Sequence, residues 1–175
     1  MKKILIVIAV VVLALGVYVG LNSQDKYDSS KYEVTLTPNH DGVQVGDKLF
    51  IKLPDQFGKT HTTSGDTKFV IISFRKDDGH VIRNYLKNNK PTLLKEHNAF
   101  FLADISKVPI VIRNMVIISD LQQSEFPVLL IHDKAISKNL NTNHKGSMVV
   151  SFENNLVKTV TYVNSDKELD KLFKK

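Results

Sequence analysis

The sequence predicts an α/β domain carried behind one amino-terminal apolar helix, and three observations predict it. An uncharged run from Ile4 to Ser23 follows Lys2 and Lys3. Two continuous apolar runs, Phe69–Phe74 and Ala99–Ile105, are separated by residues at helical spacing, the pattern of fully covered strands in a βαβ unit. Two β-rich runs and an amphipathic helix then close the chain.

The amino-terminal run comes first. Ile4 to Leu21 is eighteen residues, about 27 Å as a helix, close to the hydrocarbon thickness of a bilayer. It has no polar stripe, unlike a helix that packs on one side in water. Residues 1–23 therefore read as a signal-anchor or transmembrane helix, with Lys2 and Lys3 retained on the cytoplasmic side. Ala14-Leu15-Gly16 is a small-x-small exit for a cleaved signal, but the apolar run continues past it through Val17, Val19 and Leu21, which favours an uncleaved anchor.

Composition bounds the remainder. After residues 1–23 there is enough chain for one domain with a proper core. Without Lys2 and Lys3 the 24 basic residues become 22 against 18 acids, a mild excess of +4 spread along the chain and densest at Lys171, Lys174 and Lys175. No clustered basic face points to nucleic acid. The chain has no cysteine, which excludes thiol catalysis, disulfides and thiolate metal sites. With no tryptophan either, the core rests on Ile, Val, Leu and Phe.

The elements follow in order. Residues 24–42 read as a polar tether (Asn22 to Lys31 lacks apolar periodicity) and an edge strand, Tyr32–Thr37, stopped by Pro38. Asn39-His40-Asp41-Gly42 is a turn. Lys48–Leu53 is a second strand, and Asp55 to Lys59 a hairpin tip in which Gly58 takes positive φ. After the strand Phe69–Phe74, Arg75–Gly79 reads as a polar loop, and a helix from His80 places Val81, Ile82, Tyr85 and Leu86 on one face until Asn88-Asn89. Ser106 is the expected cap of a helix with Pro109 in its first turn, running to Leu121. Val128–Ile131 is a strand and Lys134–Leu140 a short helix. Met148–Phe152 and Val157–Val163 form a hairpin about Asn154-Asn155, since Asn tolerates left-handed backbone. Asn164-Ser165-Asp166 caps a last helix with Leu169, Leu172 and Phe173 on one face.

With these elements in place, Val45-Gly46-Asp47, Leu53-Pro54-Asp55-Gln56-Phe57-Gly58-Lys59 and the strand Phe69–Phe74 resemble the opening of peroxiredoxin-type and membrane-anchored thiol-reductase-type proteins of the thioredoxin-like superfamily. The closing strand, turn, strand and helix from Met148 to Phe173 is similar to the end of the same fold, and bacterial periplasmic YtfJ-like proteins are a related branch. The resemblance covers residues 43–175 and implies a three-layer α/β/α domain with a central mixed sheet. The chain departs from the family where it matters chemically. The family's nucleophilic cysteine falls in the stretch Arg75-Lys76-Asp77-Asp78-Gly79-His80-Val81, which has no sulfur, and the position of its cis-proline corresponds best to Ser147. Thioredoxin or peroxidase activity is not carried over, because the covalent step needs the nucleophile.

Four candidate chemistries remain. Asp77, Asp78 and His80, in the loop at the carboxyl end of a buried strand, form a candidate metal or acid–base set, with His144 as a further candidate ligand; the plainer reading is a polar helix start. The six histidines, His40, His61, His80, His97, His132 and His144, lack ligand spacing. No cofactor is implied: neither G-x-G-x-x-G nor G-x-x-x-x-G-K-[ST] occurs. The run from Pro109 to Ile118 is apolar around much of its circumference, which suits a contact with another protein or the bilayer, or else a well-buried helix or partly a strand. The expectation is a redox-inactive binding or scaffolding module in the bacterial inner membrane, anchored through residues 4–21. Its carboxyl-terminal domain lies in the periplasm, or is released there after cleavage, and meets a periplasmic or membrane protein partner. The alternative is a metal-binding protein or metal-assisted hydrolase.

Overall fold

A computed structural model describes residues 2–25, 27–140 and 143–173, with side chains for all of these except 2, 3, 5 and 6. Helix α1 (Lys2–Asn22) leads into a 3₁₀ turn (Ser29–Lys31) and three strands, β1 (Glu33–Thr37), β2 (Lys48–Pro54) and β3 (Thr60–Thr62). Then come β4 (Phe69–Ser73), α2 (Lys76–Asn89), α3 (Leu93–Glu96) and β5 (Ala99–Asp104). One helical segment follows, made of α4 (Ile110–Ile112), a π turn (Arg113–Ile117) and α5 (Ile118–Leu121). The chain closes with β6 (Leu129–Ile131), α6 (Lys134–Leu140), β7 (Ser147–Glu153), β8 (Leu156–Val163) and α7 (Asp166–Phe173).

The central sheet has the order β6-β5-β4-β7-β8. β4, β5 and β6 are parallel, with Phe69 opposite Ala99 and Leu102 opposite Leu129. β7 runs antiparallel to β4, with Ile72 opposite Met148, and β8 antiparallel to β7. This mixed order, a βαβ unit followed by a hairpin and a closing helix, is thioredoxin-like. All five residues of β4 are buried because successive side chains enter different cores. Phe69 and Ile71 join one cluster with α2, α5 and α7. Val70 and Ile72 join the other, with Leu49, Ile51 and Leu53 of β2 and Leu140 of α6.

The second face is where the expected α/β/α layering is corrected. It is covered by the three-stranded sheet β1-β2-β3 together with α6, so one of the outer layers is largely β. The alternation of Leu49, Ile51 and Leu53 with Phe50 and Lys52 turns one face of β2 inward, as period-two patterning requires. The hairpin tip carries the join between sheets. Asp55 bridges to Leu129, and the buried Gln56 side chain donates to the Phe126 carbonyl at 2.9 Å while its Oε1 accepts from the Val128 amide at 2.8 Å. Two residues of the family-like motif thus have a structural use here.

Other expectations are sharpened locally. α2 begins at Lys76, not His80, so Asp77, Asp78 and Gly79 are first-turn residues and not loop; acidic side chains there favour the helix dipole. Ser106 does not cap the next helix, whose amino-terminal cap is Pro109. Asn154 and Asn155 both take positive φ in the β7–β8 turn, at 52° and 65°. Glu168 accepts from the Asn164 amide and the Ser165 hydroxyl, so one carboxylate ties down the start of α7.

The amino-terminal segment forms its helix, but among the described residues no helix is long and apolar enough to cross a membrane. The polar stretch after it is docked, not free. Asn114 Nδ2 donates to the carbonyls of Asn22 and Gln24 at 2.9 and 3.1 Å, and the Tyr27 ring stacks between Tyr32 and His132.

Candidate functional site

The carboxyl ends of β4 and β5 open into a cleft of about 230 Å³ between the first turns of α2 and the segment 105–121. Ligands of open α/β sheets gather at such ends, because helices start there and strands diverge. Phe101, Ile105, Val108, Ile117 and Leu121 wall the cleft, and Lys76, His80, Arg83 and Lys107 line it on the polar side with Asp104 and Asp120. Arg83 is paired with Asp120 and, by that hydrogen bond above all, holds its carboxyl below the usual range. Asp104 is occupied as an acceptor from the Ser137 hydroxyl and the Ser106 amide.

Of the sequence candidates, Asp78 is buried and both its oxygens face the Arg75 guanidinium, Nε at 2.8 Å and Nη2 at 3.1 Å. Asp77 and His80 are exposed. His144 packs on the Tyr162 ring with centroids 4.5 Å apart. Among the described residues, no group of three His, Cys, Asp or Glu side chains is gathered as a ligand set. The other histidines are dispersed. His40 pairs with Asp47 at 2.9 Å and His61 with Asp55 at 2.8 Å, while His97 packs on Phe69 and Phe173.

Sequence reasoning missed two arrangements. Ser73, last residue of β4, meets Ser147, first of β7, with hydroxyl oxygens 2.6 Å apart and both side chains buried. The Ser147 hydroxyl also reaches the Asp78 carbonyl at 3.4 Å. A hydroxyl pair thus joins the two strands beside the sulfur-free start of α2. The only local signal was a polar residue ending an apolar run. Removing one hydroxyl should cost about 1–3 kcal/mol, by leaving its partner unsatisfied, and the doubly substituted S73A/S147A should recover much of that loss. Urea unfolding of the four proteins measures it; additive losses would remove the pair.

The second is centred on Arg113, only 5% exposed. Its Nη1 lies 3.5 Å from Asp25 and 3.2 Å from His132 Nδ1, and Nη2 donates to the Val108 carbonyl at 3.3 Å. Burial, then the Arg113 charge, pushes His132 down to about 4, so the ring is neutral and Nδ1 accepts. Burial, with Asp133 next, pushes the Tyr27 phenol up to about 12.

No family model matches the chain, and no curated protein does. Solved structures are similar in fold. A peroxiredoxin-like protein from Aquifex aeolicus is 14% identical over 79% of this chain and 90% of its own, with a TM-score of 0.47. The thioredoxin domain of a thiol-disulfide oxidoreductase from Bacteroides vulgatus is 10% identical over 75% and 99%, also at 0.47. An uncharacterized thioredoxin-like protein from Porphyromonas gingivalis is 17% identical over 77% and 92%, at 0.45. Likenesses at this distance carry no functional argument, and the fold reading stands on the strand order and directions given above. The chain is a cysteine-free α/β protein built on a thioredoxin-like mixed sheet.

Proposed function

We propose that this chain is a membrane-tethered binding module in which the cleft between α2 and the segment 105–121 takes a small apolar group with an anionic end. The observation that carries the reading is the pairing of apolar walls (Phe101, Ile105, Ile117) with Lys76 and Lys107 on the polar side, where the fold's redox relatives keep a thiol and this chain has none. Apolar walls supply affinity, and the cations and first amides of α2 orient a negative end. An indole placed at Ile117→Trp, in a chain with no other tryptophan, reports occupancy. Titration with medium-chain carboxylates or sulfonates should shift its emission saturably, and Lys76→Ala with Lys107→Ala should weaken binding about tenfold, the worth of one charge-assisted contact. Emission that ignores these ligands would dismiss the cleft as the site.

Redox chemistry supplies a second check. Insulin reduction and peroxide consumption should stay at the buffer rate, because no group in the chain can form the mixed disulfide or sulfenic acid.

The tether is proposed on separate grounds. Ile4 and the large apolar side chains from Val7 to Leu21 are exposed on every side of α1, an arrangement that water penalises and lipid does not. With Lys2 and Lys3 retained inside, the domain lies in the periplasm. A reporter active only outside the cytoplasm, fused after Lys31, should be active, and the full chain should resist carbonate extraction. A cytoplasm-only signal would refute this topology, and a mature chain starting after Gly16 would show release by cleavage.

A further inference from the structure

We infer that the segment Pro109–Ile118 is a second lipid contact, seated in the bilayer interface beside the end of α1, so that helix and domain meet the membrane as one body. The inference rests on the proposal that α1 is held in a membrane, and its test is chosen to separate the two.

Position is the first argument. Asn114 hydrogen-bonds the carbonyls of Asn22 and Gln24, and Arg113 reaches Asp25, so the segment is fixed to the last turn of α1. A side chain bonded to Asn22 lies within about one helical turn, roughly 5 Å, of the plane where the apolar run ends. The surface is the second. Ile112 is 47% exposed and Val116 52%, four residues apart and therefore on one face, while Arg113 between them is turned into the body. The irregular winding suits that division, since the π turn covers Arg113–Ile117.

The third argument selects lipid as the occupant. Two exposed apolar side chains fall far short of the roughly 800 Å² that each partner buries in a stable protein interface. As an addition to a helix already exposing apolar side chains along its length, they suffice, since the segment is hydrogen-bonded to the end of α1. Lys107, exposed a short distance along the chain, suits anionic headgroups at that level.

The absence of native tryptophan makes the test direct. Full-length Ile112→Trp, Val116→Trp, Val12→Trp and Thr161→Trp are each reconstituted in phosphatidylethanolamine–phosphatidylglycerol vesicles containing lipids brominated near the headgroup or near the bilayer centre. Thr161 is exposed on β8, at the opposite edge of the sheet from β6. Emission at 112 and 116 should be blue-shifted and quenched several-fold more than at 161, most strongly by the shallow bromines, while that at 12 responds to the deep ones. Quenching at 112 and 116 no greater than at 161, with position 12 quenched, overturns this inference and leaves the anchor intact. A blue shift without quenching means that another copy covers the face, and overturns it equally. An unquenched indole at position 12 removes the anchor and this inference together.

Discussion

Phe101→Ala should lower the unfolding free energy by about 3–5 kcal/mol, the usual result of emptying a fully buried aromatic site. Phe101 is completely buried in the middle of β5, where its ring faces the α2, α5 and α7 side of the sheet and also walls the cleft. Neighbours in a sheet cannot collapse into the space without breaking the ladder that pairs Ile71 with Phe101. Domains of this size hold only about 5–15 kcal/mol. The midpoint of thermal unfolding should therefore fall by on the order of 10 °C. Urea titration of the detergent-solubilised full chain, followed by circular dichroism, measures the loss. A change below about 1 kcal/mol would mean that β5 is not packed between two cores. Ligand capture by the cleft should suffer as well, because its floor has been removed.

The second large effect is a loss of stability in mild acid, centred on His132. Its folded pKa is depressed to about 4 from an ordinary 6.5. Between those values the unfolded chain binds the proton and the fold resists it, so stability rises with pH across the window and is lost as pH falls through it. The loss should reach about 3 kcal/mol at most, less whatever the partial exposure of the ring screens away. Protonation also turns Nδ1 from an acceptor of Arg113 into a like charge beside it, which the Asp25 carboxylate offsets only in part. His40 runs the other way: its pKa is raised by the Asp47 hydrogen bond, so its contribution is present below 6.5 and disappears as pH rises through the shifted value. Denaturation midpoints between pH 4 and 7 for the native chain and His132→Phe separate these effects. The variant keeps an aromatic ring against Tyr27 and should flatten the acid limb. An unchanged slope would clear His132 of the role.

Elements whose signal was local were legible in the sequence. β4 announced itself as an unbroken apolar run, α6 matched its expected limits, and the β7–β8 turn followed from two adjacent asparagines. Signals that depend on distant residues were not. β3 is Thr60-His61-Thr62, which carries no apolar alternation; it is a strand because β2 offers an edge and Asp55 a partner for His61. The first turn of α2 is polar, and only the burial of Asp78 against Arg75 distinguishes it from a loop. The site was half visible. The carboxyl end of β4 was the expected place, but the opposing wall, Ile105 to Leu121, comes from a segment whose orientation the apolar pattern left open. Docking of Asp25 and Tyr27 was hidden for the same reason, since Arg113 and His132 lie more than eighty residues further on.

The β layer over the second core also sets an order of events for the newborn chain. Leu36, Leu49, Ile51 and Leu53 emerge early and can pair among themselves at once, yet the surfaces that dry them, Val70, Leu102, Ile131 and Val150, arrive only as the remaining hundred residues are made. A nascent polypeptide in that condition is a sticky ribbon with one wet greasy side. The ribbon has to stay apart from its siblings until β7 is complete and the last of those surfaces closes over it.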